Sequence, residues 1–226
     1  MSTLVVISPH LDDAAFCCGE LLATRPGAQA VTIFAGLPPD AAMRTAWDAA
    51  CGFRSAGEAI AARRAEDAAA LAALAARPVW LDFCDDQYGV GVDVHAIVAA
   101  LEAELDRAPP GTALFPLGLF HRDHERAHAA GLALAARRPD WTWLIYEDAI
   151  YRRQRALRDA RLGTLAGLAL TTCTPPCDPT ARARKARAVA CYASQLRGLQ
   201  TPGRPGHEDV FAPERYWSLS TPERTS

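Results

Sequence analysis

The sequence predicts an α/β fold: a three-layer sandwich in which a Rossmann-like, mostly parallel sheet carries helices on both faces. Short continuous apolar runs such as Leu4-Val5-Val6-Ile7 suit strands buried on both sides. They alternate with longer amphipathic or Ala-rich stretches, and strands separated by helices pair in parallel through right-handed crossovers. The chain has 226 residues, half of them hydrophobic and 22% charged, which is enough for one well-buried core and predicts one domain over 1–226.

The elements follow in order. A strand over Leu4 to Ile7 leads into a short helix from Ala14 to Thr24, stopped by Pro26, and Val31 to Ala35 reads as the second strand. Pro38-Pro39-Asp40 breaks the chain, and Met43 to Ala50 is a candidate short helix in a segment that could serve as a lid or substrate loop. Ser55 with Glu58 has capping-box spacing, and the Ala-rich stretch to Ala76 is a helix closed by Pro78. Val79 to Phe83 reads as a strand, Val92 to Arg107 as an amphipathic helix, and Thr112 to Leu117 as a strand. A helix from Asp123 to Arg137 and a strand from Thr142 to Tyr146 follow. The remainder reads as a helix from Tyr151 to Arg161, a strand over Leu168 to Thr172 and a helix from Pro179 to Arg197 ended by Gly198. Arg215 to Leu219 is expected either as an edge strand or packed over a site.

Composition excludes several classes of partner. The formal charge of −2, from 24 basic and 26 acidic residues, provides no field for nucleic acid or an anionic membrane. No apolar segment approaches the ~20 residues of a membrane span, and no secretory leader is seen, so cytoplasmic residence is the expectation. The seven cysteines lack the paired spacing of a thiolate zinc site and read as small buried hydrophobes in a reducing compartment, with a Cys173–Cys177 loop disulfide as the alternative.

Two polar clusters carry the chemistry. Ser8-Pro9-His10-Leu11-Asp12-Asp13 follows the first strand, and His121-Arg122-Asp123-His124 follows the fourth. In open α/β sheets such strand ends are where ligands bind. No Gly-x-Gly-x-x-Gly follows the first strand, so there is no dinucleotide phosphate cradle. His10 and Asp13 stand three apart across a strand-to-helix turn, and His124 can join them from the second strand end. Two imidazoles and one carboxylate form a catalytic zinc set that leaves a position open for water. Asp12 then reads as general base, His121 as an imidazolium that stabilises an oxyanion and protonates a leaving amine, and Asp123 as the carboxylate that orients His121.

This layout resembles the zinc-dependent N-acetylglucosaminyl de-N-acetylase family, also called LmbE-like or PIG-L. The family's histidine-x-aspartate-aspartate motif stands here as His10-Leu11-Asp12-Asp13, and its histidine-x-aspartate-histidine motif as His121-Arg122-Asp123-His124. The resemblance implies zinc on His10, Asp13 and His124, Asp12 as base, His121 as electrophilic acid, and a small-molecule amino-sugar substrate, with a homo-oligomer left open. Arg63-Arg64-Ala65-Glu66-Asp67 resembles a family helix whose arginine contacts the substrate, a role carried to Arg64. Ile145 to Asp148 and Tyr192 to Gln195 also look like segments of bacterial members and carry no catalytic assignment. The chain departs from the family at Ala14, where many members have glutamate, and at Leu119, where some have tyrosine as an oxyanion donor.

Plainer roles compete. Asp12 and Asp13 could cap the following helix, and His121 and His124 could be solvated helix-start residues; the pairing of the two motifs argues against both. His128, one turn after His124, is not needed as a fourth ligand, and His95 and His207 read as ordinary surface or core histidines. Asp85 and Asp86 read as turn residues, with contact to substrate hydroxyls as the alternative. Trp80, Trp141, Trp143 and Tyr146 read as core; Tyr216 and Trp217 are the candidates for stacking on a sugar. The rival functions are a Mg²⁺-binding regulatory domain, suggested by the acidic pair, and a non-catalytic binding module.

Overall fold

A computed structural model describes residues 3–174 and 178–220. The sheet has seven strands in the order β3-β2-β1-β4-β5-β7-β6. Strand β1 (Leu4–Ser8) pairs in parallel with β2 (Gln29–Thr32) and with β4 (Thr112–Pro116); β3 (Arg77–Trp80) and β5 (Thr142–Tyr146) extend the parallel set on either side. The chain moves outward from β1 through β2 to β3 and then returns to β4. The carboxyl ends of β1 and β4 therefore flank the topological switch point, where an open sheet leaves a crevice for ligands. Both polar clusters sit at those two ends.

Successive residues of β1 point to opposite faces. Leu4 and Val6 enter a core built with α1 (Asp13–Ala23), α3 (Ala56–Ala73) and α7 (Pro179–Ala190), whereas Val5 and Ile7 enter one built with α4 (Val94–Leu105) and α5 (Arg122–Arg137). Helix α6 (Arg155–Thr164) adds Leu157 and Leu162 to the second core. The three layers expected from the alternation of elements are present.

The details differ in instructive places. Strand β3 starts at Arg77, whose N–H bonds to Ala28 O, so Pro78 lies within a strand instead of closing the preceding helix. Proline is tolerated there because β3 is an edge of the sheet. Ser55 does cap α3 by accepting from the Glu58 N–H, but the Glu58 carboxylate accepts from Arg54 N, so the box is only half formed. The reciprocal box occurs at Thr45 and Asp48, heading α2 (Ala46–Ala50).

Helix α6 begins four residues later than expected because Ala149–Tyr151 forms a 3₁₀ turn, and the expected 179–197 helix is two, α7 and α8 (Ala193–Leu199). Between them the fully buried Tyr192 donates to Asp67 Oδ1 at 2.8 Å. Strand β7 (Tyr216–Ser220) is no edge strand: it lies antiparallel between β5 and β6 (Ala169–Cys173), which takes the edge. Cys177 lies outside the described residues; Cys17, Cys18, Cys51, Cys84, Cys173 and Cys191 are free thiols.

Candidate active site

Asp12 occupies the N-cap of α1, yet its carboxylate makes no capping hydrogen bond. That work falls to Ser8, whose Oγ accepts from Ala14 N at 3.0 Å and donates to His10 O at 2.8 Å. Asp12 is thereby left facing a cavity of about 390 Å³ also lined by His10, Asp13, Arg63, His121 and His124. Asp13, the first residue of α1, accepts His10 N at 3.0 Å.

His10, Asp13 and His124 each present a ligand atom, all within 4.8 Å of one another. Asp13 Oδ2 lies 3.4 Å from His10 Nδ1 and 3.3 Å from His124 Nε2. The far nitrogen of each imidazole is held by a carboxylate: His10 Nε2 is 3.1 Å from Asp123 Oδ2, and His124 Nδ1 is 2.5 Å from Asp148 Oδ1. Such outer carboxylates set the tautomer and aim the free nitrogen inward. Two imidazoles and a carboxylate arranged in this way suit a metal of the zinc type, because imidazole favours such ions over hard cations. His10, Asp85, His121 and Asp123 form a second cluster of potential ligand atoms that shares His10.

His121 caps α5, its Nδ1 accepting the Asp123 N–H at 3.2 Å, so Nε2 carries the proton. The Asp123 carboxylate lies 3.7 Å from His121 and bonds instead to His10, Asp86 N and Arg126. It is the backbone of Asp123, not its carboxylate, that orients His121.

Electrostatics sort these groups. Burial and the charge of Asp13 push Asp12 up to about 7, with Arg63 opposing. Burial would raise Asp13 too, but His124 and His10 hold it at about 2. Burial opposes charge on His10, yet Asp85, Asp123 and Asp13 raise it well above the usual histidine range; His124 is raised likewise by Asp13 and Asp148 against burial. Burial and the neighbouring His10 pull His121 down to about 4, which favours a neutral donor over the expected imidazolium.

The arginine at this site is Arg63. Its side chain is buried, lies 3.5 Å from Asp85, lines the cavity, and leaves Nε and Nη1 without a hydrogen-bond partner among the described residues. Arg64 is turned one helical step away, bonded to Ala35 O and Asp82 outside the cavity lining. Tyr216 and Trp217 are buried strand residues, absent from the lining; Tyr216 donates to Glu214. His128 packs on Phe115 with Nδ1 2.9 Å from Pro116 O, so it serves the core. Asp85 is both a turn residue, capping Asp86–Tyr88, and part of the cavity wall.

Asp148, in a segment that carries no catalytic assignment from the sequence, has a role at this site. Its Oδ2 accepts from Gly118 N at 2.9 Å and Leu119 N at 3.2 Å while Oδ1 holds His124. Gly118 is required in this turn: its φ is +81°, and a Cβ there would come within 2.6 Å of His128.

Among solved structures, a deacetylase of the teicoplanin biosynthesis pathway, in its bog complex, has a TM-score of 0.80 and 24% identity, covering 99% of this chain and 100% of that one. The A40926 pseudoaglycone deacetylase has a TM-score of 0.74 and 27% identity over 96% of both chains. The N,N'-diacetylchitobiose deacetylase of Pyrococcus horikoshii, at 17% identity and a TM-score of 0.55 over 86% of this chain and 70% of that one, shares the fold. A search of curated proteins found no match. The model of the family described as PIG-L, GlcNAc-PI de-N-acetylase, matches residues 5–135, more than half of the chain and a span containing both polar clusters. The chain belongs to that family and is an N-deacetylase.

Proposed function

We propose that the protein is a zinc-dependent hydrolase that removes an N-acetyl or similar small acyl group from an amino sugar or amino-sugar conjugate. The observation that carries this reading is the convergence of His10, Asp13 and His124 on one locus beside the uncapped carboxylate of Asp12. His10 through Nδ1, Asp13, and His124 through Nε2 would hold the ion. Zinc bound there supplies Lewis acidity toward the amide oxygen and acidity to water.

The side chains do the rest. Asp12, poised near neutrality, accepts the proton of the attacking water as the oxygen–carbon bond forms. The Nε2–H of His121 donates to the carbonyl oxygen as negative charge develops there. The proton held by Asp12 is returned to the nitrogen as the carbon–nitrogen bond breaks, leaving a carboxylic acid and a free amine. Asp123 and Asp148 are positioning residues, and Arg63, whose side chain lines the cavity, places its positive charge beside a substrate oxygen.

Together with this go a small-molecule partner in place of nucleic acid, supported by the charge of −2, and the cytoplasmic residence and single 1–226 domain expected from sequence. Among the described residues no helix is long and apolar enough to cross a membrane. The Mg²⁺ reading draws no support from a donor set with two imidazoles. The test is an amine-release screen of N-acetylglucosamine derivatives with zinc-loaded and chelated protein. Zinc-dependent release supports the proposal; activity confined to non-sugar amides overturns its substrate class, and none at all overturns the reaction.

A further inference from the structure

Phe120 precedes His121, lines the catalytic cavity, and is 62% exposed. Its backbone is left-handed, with φ of +67°, a conformation that side-chain-bearing residues rarely adopt. An aromatic ring left largely in water on a strained backbone gains little from folding, and such outliers cluster where ligands are held. The turn is enforced from behind: Asp148 binds Gly118 N and Leu119 N, and the Leu119 side chain is buried, which turns Phe120 outward.

Phe120 does not stand alone. Its ring centroid is 5.0 Å from that of Tyr151, which is 5.5 Å from that of His124. Both aromatic residues line the cavity, Phe120 exposed and Tyr151 largely buried in its wall. Trp47, which also lines the cavity, is already engaged: its indole N–H donates to Gln195, and Arg204 lies 5.0 Å over its ring. Tyr151 therefore lies between the ring of His124 and that of Phe120.

We propose that Phe120 and Tyr151 form a stepped aromatic platform for a second ring joined to the N-acylated sugar, so that the preferred substrate is a glycoside with an apolar or aromatic ring next to the amino sugar, not a free monosaccharide. This deepens the deacylase reading and rests on it for the identity of the inner group.

The experiment compares kcat/KM for N-acetylglucosamine and its benzyl β-glycoside in the zinc-loaded wild type, F120A, F120W and L37A, the last altering an exposed leucine outside the cavity lining. The wild type should favour the benzyl glycoside by about tenfold, the scale of one well-stacked ring. F120A should lose most of that preference through KM, F120W should keep it, and L37A should match the wild type. F120G removes the ring while relaxing the left-handed backbone, so the same loss there rules out a folding artefact.

Calorimetry of the benzyl glycoside of the free amino sugar with metal-free protein reads the platform without turnover. Phe120-dependent binding supports the platform even if no sugar is deacylated, in which case only the deacylase reading falls. Equal preference in wild type and F120A, with binding independent of Phe120, overturns the platform.

Discussion

Asp148 and His124 form one mechanical unit, Oδ1 of the first lying 2.5 Å from Nδ1 of the second while the other oxygen of Asp148 grips the loop that leads into His121. One carboxylate thus sets the orientation of His124, the proposed ligand, and the course of the chain to His121, the proposed electrophile. Asp148→Ala should weaken zinc binding about 10–100-fold, the usual cost of losing an outer-shell partner. Competition with a chromophoric chelator measures this; unchanged affinity would remove Asp148 from the centre.

Asp12→Asn should keep the metal and lose turnover by about 10²–10⁴-fold, the usual contribution of a positioned base. Metal content and amine release on the same sample decide it. Full activity in the asparagine variant would transfer the base role elsewhere.

Arg63 lowers the Asp12 pKa, which burial and Asp13 push up to about 7. A base must be ionised to act, so activity falls with pH as Asp12 takes up its proton. Arg63→Met removes the opposing charge, and the acidic limb of the kcat/KM profile should move to higher pH. Arg64→Met, which breaks bonds to Ala35 O and Asp82 that lie outside the cavity lining, should leave the limb in place. Equal behaviour of the two variants would contradict the assignment of the cavity arginine to position 63.

The distinction between these neighbours shows how far the sequence can be read. The polar clusters after the first and fourth strands were visible because each lies within four to six consecutive residues. Choosing Arg63 over Arg64 requires the rotation of α3 about its axis, which tertiary packing sets. The role of Asp148 is not legible in its segment because its relation to His124 depends on β5 lying beside β4, a fact of topology. Tyr216 and Trp217 are closed to stacking because β7 lies between two other strands, which buries both. The break between α7 and α8 has the same character, since the inward turn of Tyr192 answers to Asp67, 125 residues earlier.

Proton bookkeeping at the metal centre follows from His10 and His124. Both are shifted upward in the metal-free protein by the carboxylates around them, against burial, so each holds its proton to a higher pH than a free imidazole. A metal must displace those protons, and affinity should therefore rise with pH and fall as acid restores them. Calorimetry in two buffers of different ionisation enthalpy, between about pH 6 and 8, should show protons released on zinc binding. A titration with no proton release would contradict these upward shifts.

Stability has its own buried centre, away from the catalytic cavity. Helix α1 departs from helical geometry at Cys18, with φ of −131°, and just beyond it Glu214 accepts the N–H groups of Glu20 and Leu21 at 2.7 and 3.1 Å. Lys185 Nζ lies 2.8 Å from the same carboxylate, and both side chains are almost completely buried. Lys185→Met keeps much of the aliphatic volume but strands the Glu214 charge inside. Removing one partner of a buried pair typically costs about 3–5 kcal/mol. For a chain of this length each kcal/mol lowers Tm by about 2–4 °C, so the melting point should fall by roughly 6–20 °C. The double variant Lys185→Met with Glu214→Gln should recover part of the loss, since the stranded charge is gone while an amide oxygen can still accept an α1 N–H. Thermal melts of the three proteins test this, and a Lys185→Met protein as stable as the wild type would show that the ion pair is not what closes the kink.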